Sequence, residues 1–320
     1  MRRLDGAFGA PNTAPWCEVA SSKYWARPLR LKRRRAGALQ GDESFVSTIS
    51  ETFARLRREG KRALIPFITA GDPDLATTRH LLIELARSGA DIIELGVPFS
   101  DPVADGPVIQ RASMRALEND FGVAEILQVV KEARQEIDMA VVLFSYLNPL
   151  LQFGLDRLAA QSRVAGVDGV LVTDLALEDA REFQESLARN SQDLILLVAP
   201  TTNDERLRMI AERASGFIYA VSRMGVTGTR NEMTGDARKL VDRLRAITDL
   251  PVAVGFGISN REQVAEVWQY ADGAVVGSAI VAEIEKLSGT PDLPARIGRF
   301  IRELVPAERS VSQAPLPPLR

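Results

Sequence analysis

The chain is 320 residues long, 46% hydrophobic and 26% charged, with a formal net charge of −2. That is the make-up of a water-soluble globular protein with one large core or two modest ones. No apolar run approaches the roughly 20 residues that cross a bilayer, and the N-terminus lacks the apolar segment of a secretory signal, which speaks against membrane and export roles. Cys17 is the only cysteine, so a disulfide framework and a thiolate metal cluster are excluded, and a reducing compartment, the cytoplasm, is the expected location.

Charge divides the chain unevenly. Residues 1–41 hold nine Lys/Arg against Asp5 and Glu18, a net +7, which leaves 31 basic against 40 acidic residues, a net −9, for the rest. "RLKRRR" at 30–35 sits among prolines and small residues with no helical or strand period, so residues 1–42 are expected to form a disordered basic extension. Few serines and no clear amphipathic helix favour an inert tail or a misassigned start codon, with organelle targeting as the alternative. An acidic body argues against a nucleic-acid partner. Residues 306–320, rich in proline, read as a flexible tail beyond a domain at 43–305.

From residue 62 onward a short β-branched apolar run, a turn and a helical stretch repeat. The runs are "RALIPFITA", "DIIELG", "MAVVLFSY", "DGVLVTD", "LILLVAP", "GFIYAV", "LPVAVGFG" and "DGAVVG". None alternates with polar residues, so each should be covered on both faces, as in a parallel sheet lying among helices. Amphipathic stretches at 81–87, 179–189, 236–247 and 262–270 supply such helices. Eight units over about 250 residues match a (β/α)8 barrel; a doubly wound open sheet is the alternative, but no switch-point fingerprint supports it. "SNRE" at 259–262 reads as a capping box for the helix after the seventh run. The insert at 98–120, after the second run, is longer than a βα-loop requires, and long loops in compact barrels are usually functional.

In a barrel the reactive groups lie at the C-terminal ends of the strands and in the loops that follow. Three glycine-bearing loops occupy such places: "SRMGVTG" at 222–228, "GFGIS" at 255–259 and "VGSAIV" at 276–281, where Gly277 and Ser278 open a helix. Glycine lets backbone N–H groups approach a phosphate, Ser278 adds a hydroxyl and the helix N-terminus adds partial positive charge. Glycine that merely ends a strand is the competing reading. "MGVTGTRNEMTG" at 224–235 has the composition of a lid closing on ligand, or of a loop that is simply flexible.

Several chemistries are missing. Lys61 precedes the first run, Lys131, Lys239 and Lys286 fall in helical stretches, and the others are in the arm, so none can form an imine in the mouth. His80, the only histidine, belongs to a helix as a surface or packing residue, which removes a histidine-held metal. Carboxylates, hydroxyls and backbone dipoles remain. Glu94 lies two residues after Ile92, on the same inward face, where burial should raise its pKa toward neutrality. Asp105, in "ADGP", lies in a loop stiffened by Pro102 and Pro107; a turn-forming Asp-Gly is a serious alternative for it. Asp101 precedes a proline and can be explained as organising that turn.

"PFITAGDP" at 66–73, "ELGVPFSDPVADGP" at 94–107, "SRMGVTG", "GFGIS" and "GSAIV" together resemble, in order, the motifs of the tryptophan synthase α subunit, an indole-3-glycerol-phosphate lyase, over about residues 45–305. The resemblance implies cleavage of indole-3-glycerol phosphate to indole and D-glyceraldehyde 3-phosphate. It makes Glu94 the proton-moving glutamate and Asp105 the acceptor of the indole N–H. It puts Phe67 and Tyr219 in the indole pocket, Gly228, Gly257, Gly277 and Ser278 on the phosphate, and Thr227 and Arg223 in the lid. It implies no cofactor in this chain. The partner would be a β subunit carrying pyridoxal phosphate, joined in an α2β2 tetramer through the insert after the second strand. Competing expectations are a sugar-phosphate isomerase or epimerase barrel, a catalytically idle barrel that activates a β subunit, and a free-standing lyase releasing indole.

Overall fold

The computed structural model describes residues 47–221, 230–255 and 257–307. Its strands are β1 (Ala63–Thr69), β2 (Ile92–Gly96), β3 (Ala140–Ser145), β4 (Gly169–Val172), β5 (Asp193–Val198), β6 (Ile218–Val221), β7 (Val252–Gly255) and β8 (Gly273–Val276). All are parallel and close in chain order, with β8 paired back onto β1. Each strand coincides with one of the apolar runs, and each is buried almost throughout, because the interior covers one face and helices the other.

Around the barrel run α1 (Thr48–Arg58), α2 (Leu75–Arg87), α3 (Pro107–Leu117), α4 (Val123–Ala133), α5 (Leu147–Phe153), α6 (Leu155–Ala165), α7 (Ala180–Arg189), α8 (Asp204–Arg213), α9 (Arg230–Arg245), α10 (Arg261–Trp268), α11 (Ser278–Leu287) and α12 (Leu293–Leu304). No helix among the described residues is long and apolar enough to cross a membrane. The arm, and all but two residues of the tail, lie outside the described residues.

Strand alternation sorts the apolar residues into two cores. Leu64, Ile68, Ile93, Leu95, Val141 and Leu143 pack outward against helices. Ala63, Ile65, Ile92, Val142, Leu171, Ile195, Phe217 and Val275 fill the interior, together with Ile49, Phe53 and Leu56 of α1. Those three sit at i, i+4 and i+7, one stripe of a helix, and α1 thereby plugs the N-terminal end of the barrel. Its Phe53 ring lies 5.7 Å from that of Phe217. Gly169 makes room for it: a Cβ there would fall 2.9 Å from Ile49 Cδ1 and 2.7 Å from Ile195 Cδ1.

The same end carries a repeated cap. Asp91 Oδ2 accepts from the Leu64 N–H at 2.9 Å, Asp168 Oδ2 from Val141 at 2.9 Å and Asp272 Oδ2 from Val252 at 3.0 Å. Ser215 Oγ does the same for Leu194 at 2.9 Å. In each pair, a residue just before an even-numbered strand satisfies an N–H at the start of the preceding odd one, where the ladder leaves it without a partner.

Three expectations need correction. The insert at 98–120 is not one long loop: Gly106 caps α3, and Pro107 at its first position has the φ a helix needs and no N–H to lose. The cap of α10 is Asn260 rather than Ser259; Asn260 Oδ1 accepts from Gln263 N at 3.0 Å, and Gln263 Oε1 returns to Ser259 N at 2.7 Å. Both residues are good caps by type, and the backbone chose the later one. The stretch expected at 236–247 begins earlier, at Arg230, and ends at Arg245.

Candidate active site

At the C-terminal mouth the inward-facing row continues upward from the apolar interior. Phe67 on β1 is paired in register with Glu94 on β2, which is paired with Val142 on β3. Tyr219 follows Phe217 on the same face of the β6 segment, beside Ala253 of β7. Glu94 is third of the five residues of β2, so the strand holds it from both sides.

Glu94 is 1% exposed, and its Oε1 has no hydrogen-bond partner. Burial pushes its carboxyl up to about 8, because water no longer solvates the anion. Asp105 is half-buried in the turn in which its N–H donates to Pro102 O at 3.0 Å. Burial raises it to about 6, and a hydrogen bond from the Tyr146 hydroxyl opposes that rise. Tyr219 is held far above its ordinary value by burial first and then by the negative charges of Glu94 and Asp105. The three groups therefore interact electrostatically at the mouth. Close approach there requires Gly255, where a Cβ would fall 2.1 Å from the Tyr219 hydroxyl.

Phe67 meets Phe144 edge-on at 5.2 Å and packs with Ala112 of α3 and Val281 of α11, while Val108 and Ile109 of α3 extend the apolar wall. These residues line an apolar, aromatic slot at the mouth, next to Glu94 on the paired strand. Asp101 is exposed and accepts from Ser100 Oγ at 2.5 Å, outside that slot.

Across the mouth, Gly277 caps α11 without any side-chain hydrogen bond, and Ser278 begins the helix, exposed. A Cβ on Gly277 would lie 3.5 Å from Phe67 Cβ, so this helix start borders the slot. Gly257 is exposed with φ +78, the left-handed region that glycine enters without strain. Free N–H groups at a helix start beside such a turn suit a phosphate. Gly228, Thr227 and Arg223 lie outside the described residues. His80 is exposed on α2, while Lys61, Lys239 and Lys286 pair with Glu59, Asp236 and Glu283 away from the mouth.

Two residues escaped the sequence reading. Tyr146 follows β3 directly; its hydroxyl accepts from Ala104 N at 2.9 Å and donates to Asp105, while burial and then the Asp105 charge raise its own pKa. Gln110 on α3 reaches back, its Nε2 donating to Asp105 O at 2.9 Å. Tyr146 ends the run "MAVVLFSY", so its place at a strand's C-terminal end was the available signal.

The family model for the tryptophan synthase alpha chain matches residues 53–301. This chain belongs to the tryptophan synthase alpha chain family. A relative of that name from Solibacter usitatus (strain Ellin6076) is 44% identical over 259 residues, 81% of this chain and 97% of its own length. Among solved structures, tryptophan synthase subunit alpha from Legionella pneumophila is 36% identical with a TM-score of 0.74, covering 81% of this chain and 97% of that one. The tryptophan synthase complex from Pyrococcus furiosus is 38% identical with a TM-score of 0.69, covering 76% and 98%. The tryptophan synthase alpha chain is a lyase of tryptophan biosynthesis, and the barrel and the order of its motifs are those of the family.

Proposed function

We propose that the chain cleaves indole-3-glycerol phosphate to indole and D-glyceraldehyde 3-phosphate, with Glu94 as the proton carrier and Asp105 as the charge stabiliser. The observation that carries the assignment is a carboxyl without a partner for Oε1, buried in an aromatic slot, with a second acid at the rim. At neutral pH burial keeps Glu94 protonated and leaves Asp105 ionised, so one acid donates while the other attracts positive charge.

The steps balance. Glu94 gives its proton to indole C3, the ring becomes an iminium-like cation, and the Asp105 carboxylate accepts the indole N–H. The glycerol hydroxyl next to the ring then loses its proton to the Glu94 carboxylate. The carbon–carbon bond breaks, its electron pair returns to the ring, and an aldehyde leaves. Glu94 ends as it began. Because the protonated indole is its own electron sink, no lysine imine is needed. Phe67 and Tyr219 would flank the ring, and Gly257, Gly277 and Ser278, with Gly228, would hold the phosphate, with Thr227 and Arg223 in a lid.

The partner we propose is a β subunit with pyridoxal phosphate, in an α2β2 assembly in the cytoplasm. Val103, 87% exposed in the insert, and Leu151, 53% exposed on α5, supply an apolar rim for it. Indole release by the full chain, beside Glu94→Gln and Asp105→Asn, tests the chemistry: activity retained by both variants would remove the assignment. Gel filtration with a cognate β subunit tests the assembly, and separate elution would overturn it.

A further inference from the structure

We infer that Arg115 is a positioning residue that sets the height of Asp105 over the mouth by bracing α3 against two other elements of the barrel. The inference rests on the reading of Asp105 given above. α3 begins two residues after Asp105, and Gln110 ties the Asp105 carbonyl, at 2.9 Å, to the helix itself. Asp105 therefore moves when α3 moves.

Ion pairs hold α3 from Arg111 onward. Arg115 Nε and Nη2 donate to Asp72 Oδ1 and Oδ2 at 2.9 and 2.8 Å, a bidentate pair with a carboxylate that is 1% exposed. Its third nitrogen, Nη1, donates to Glu285 Oε1 at 2.7 Å, and Arg111 holds the same Glu285 through two bonds of 2.8 and 2.7 Å. Glu285 lies on α11, whose first turn borders the slot. Beyond Arg115, Asn119 Nδ2 donates to Pro73 O at 3.2 Å, and the Phe121 ring fills the space where a Cβ on Gly71 would lie, 2.1 Å from its Cζ.

One guanidinium thus joins the turn after β1, the helix that follows Asp105 and the helix that starts at the proposed phosphate cradle. Only a planar fork reaches both carboxylates at once; a lysine ammonium satisfies one and releases the other. Arginines on helical surfaces usually form ion pairs of little consequence. This one differs because it sits on a lever whose near end is a candidate catalytic group, where a shift on the order of 1 Å can cost 100-fold in rate.

The test is steady-state cleavage of indole-3-glycerol phosphate by the full-length chain across pH. Variants are Arg115→Lys, Arg115→Met with Asp72→Asn, Glu285→Gln and Asp105→Asn, with Tm measured for each. The paired substitution leaves no buried carboxylate without a partner, and Glu285→Gln alters only a partly exposed site, so folded protein is available in both cases. Tyr146, Tyr219 and Glu94 remain around Asp105 in every variant. We expect kcat to fall about tenfold in both Arg115 variants with KM changed less than twofold. The acid limb of the kcat/KM profile should move to lower pH as the loosened Asp105 meets water. A lowered Tm with unchanged kcat and an unmoved acid limb would overturn the inference, reducing Arg115 to a structural pair. Full activity in Asp105→Asn would overturn both the inference and the reading beneath it; loss there without loss in the Arg115 variants would overturn the inference alone.

Discussion

The two ends of the barrel bury the same kind of group for opposite ends. At the N-terminal end Asp91, Asp168 and Asp272 each accept a strand N–H, and Asp168 also takes the Arg134 guanidinium. At the C-terminal mouth Glu94 is as deeply buried but has a carboxylate oxygen with nothing to accept. A satisfied carboxylate stabilises the fold, whereas an unsatisfied one destabilises the charged form and keeps its proton. Asp193, at the N-terminal end, crosses the division: its Oδ2 has no hydrogen-bond partner, and burial raises its pKa against the hydrogen bonds of Ser47 and Ser215, with the Asp168 charge adding to the rise.

The contrast is sharpest for Glu94→Gln. It should lower kcat/KM by about 10³-fold in an indole-release assay while leaving Tm unchanged or higher at alkaline pH, since a neutral amide escapes the desolvation cost. A variant that lost stability along with activity would break the comparison at its centre. Asp105→Asn should cost about 10²-fold, less because it stabilises charge rather than carrying the proton. Asp168→Asn should do the reverse, costing about 2 kcal/mol in urea unfolding by weakening the Val141 cap and the Arg134 pair, with kcat unaltered.

Two pH dependences refine the picture. The wild-type kcat/KM profile should rise as Asp105 ionises near about 6 and fall as Glu94 loses its proton near about 8, giving a bell with apparent limbs at those values. Asp193 gives the smallest effect. Its folded pKa is raised, so its protonated form favours folding; that stability is full below the ordinary aspartate range and is lost as pH rises through the raised value. Asp193→Asn should abolish that slope, seen by comparing unfolding free energies of the two proteins at acid and at alkaline pH.

How much of this was legible depended on whether the signal was local. The strands were, because burial on both faces writes an unbroken apolar run, and Glu94 stood out as the acid inside one. α1 was not read: its stripe of Ile49, Phe53 and Leu56 has helical spacing, but nothing nearby says that it plugs a barrel. α3 was hidden by the prolines before it, although Gly106-Pro107 is a start signal in retrospect. Tyr146 and Gln110 gain their significance from Asp105, many residues distant or a turn away, and Arg115 from Asp72 and Glu285. Such partnerships exist only once the chain has closed.

That dependence has a consequence for synthesis. α1 leaves the ribosome before any strand, yet its Phe53 ring packs on Phe217, which emerges after most of the interior has been made. The helix must wait, exposed, while nearly the whole domain is made. Contacts between such distant segments are slow to form, so a chain that stops short of Phe217 leaves the apolar stripe of α1 unsheltered.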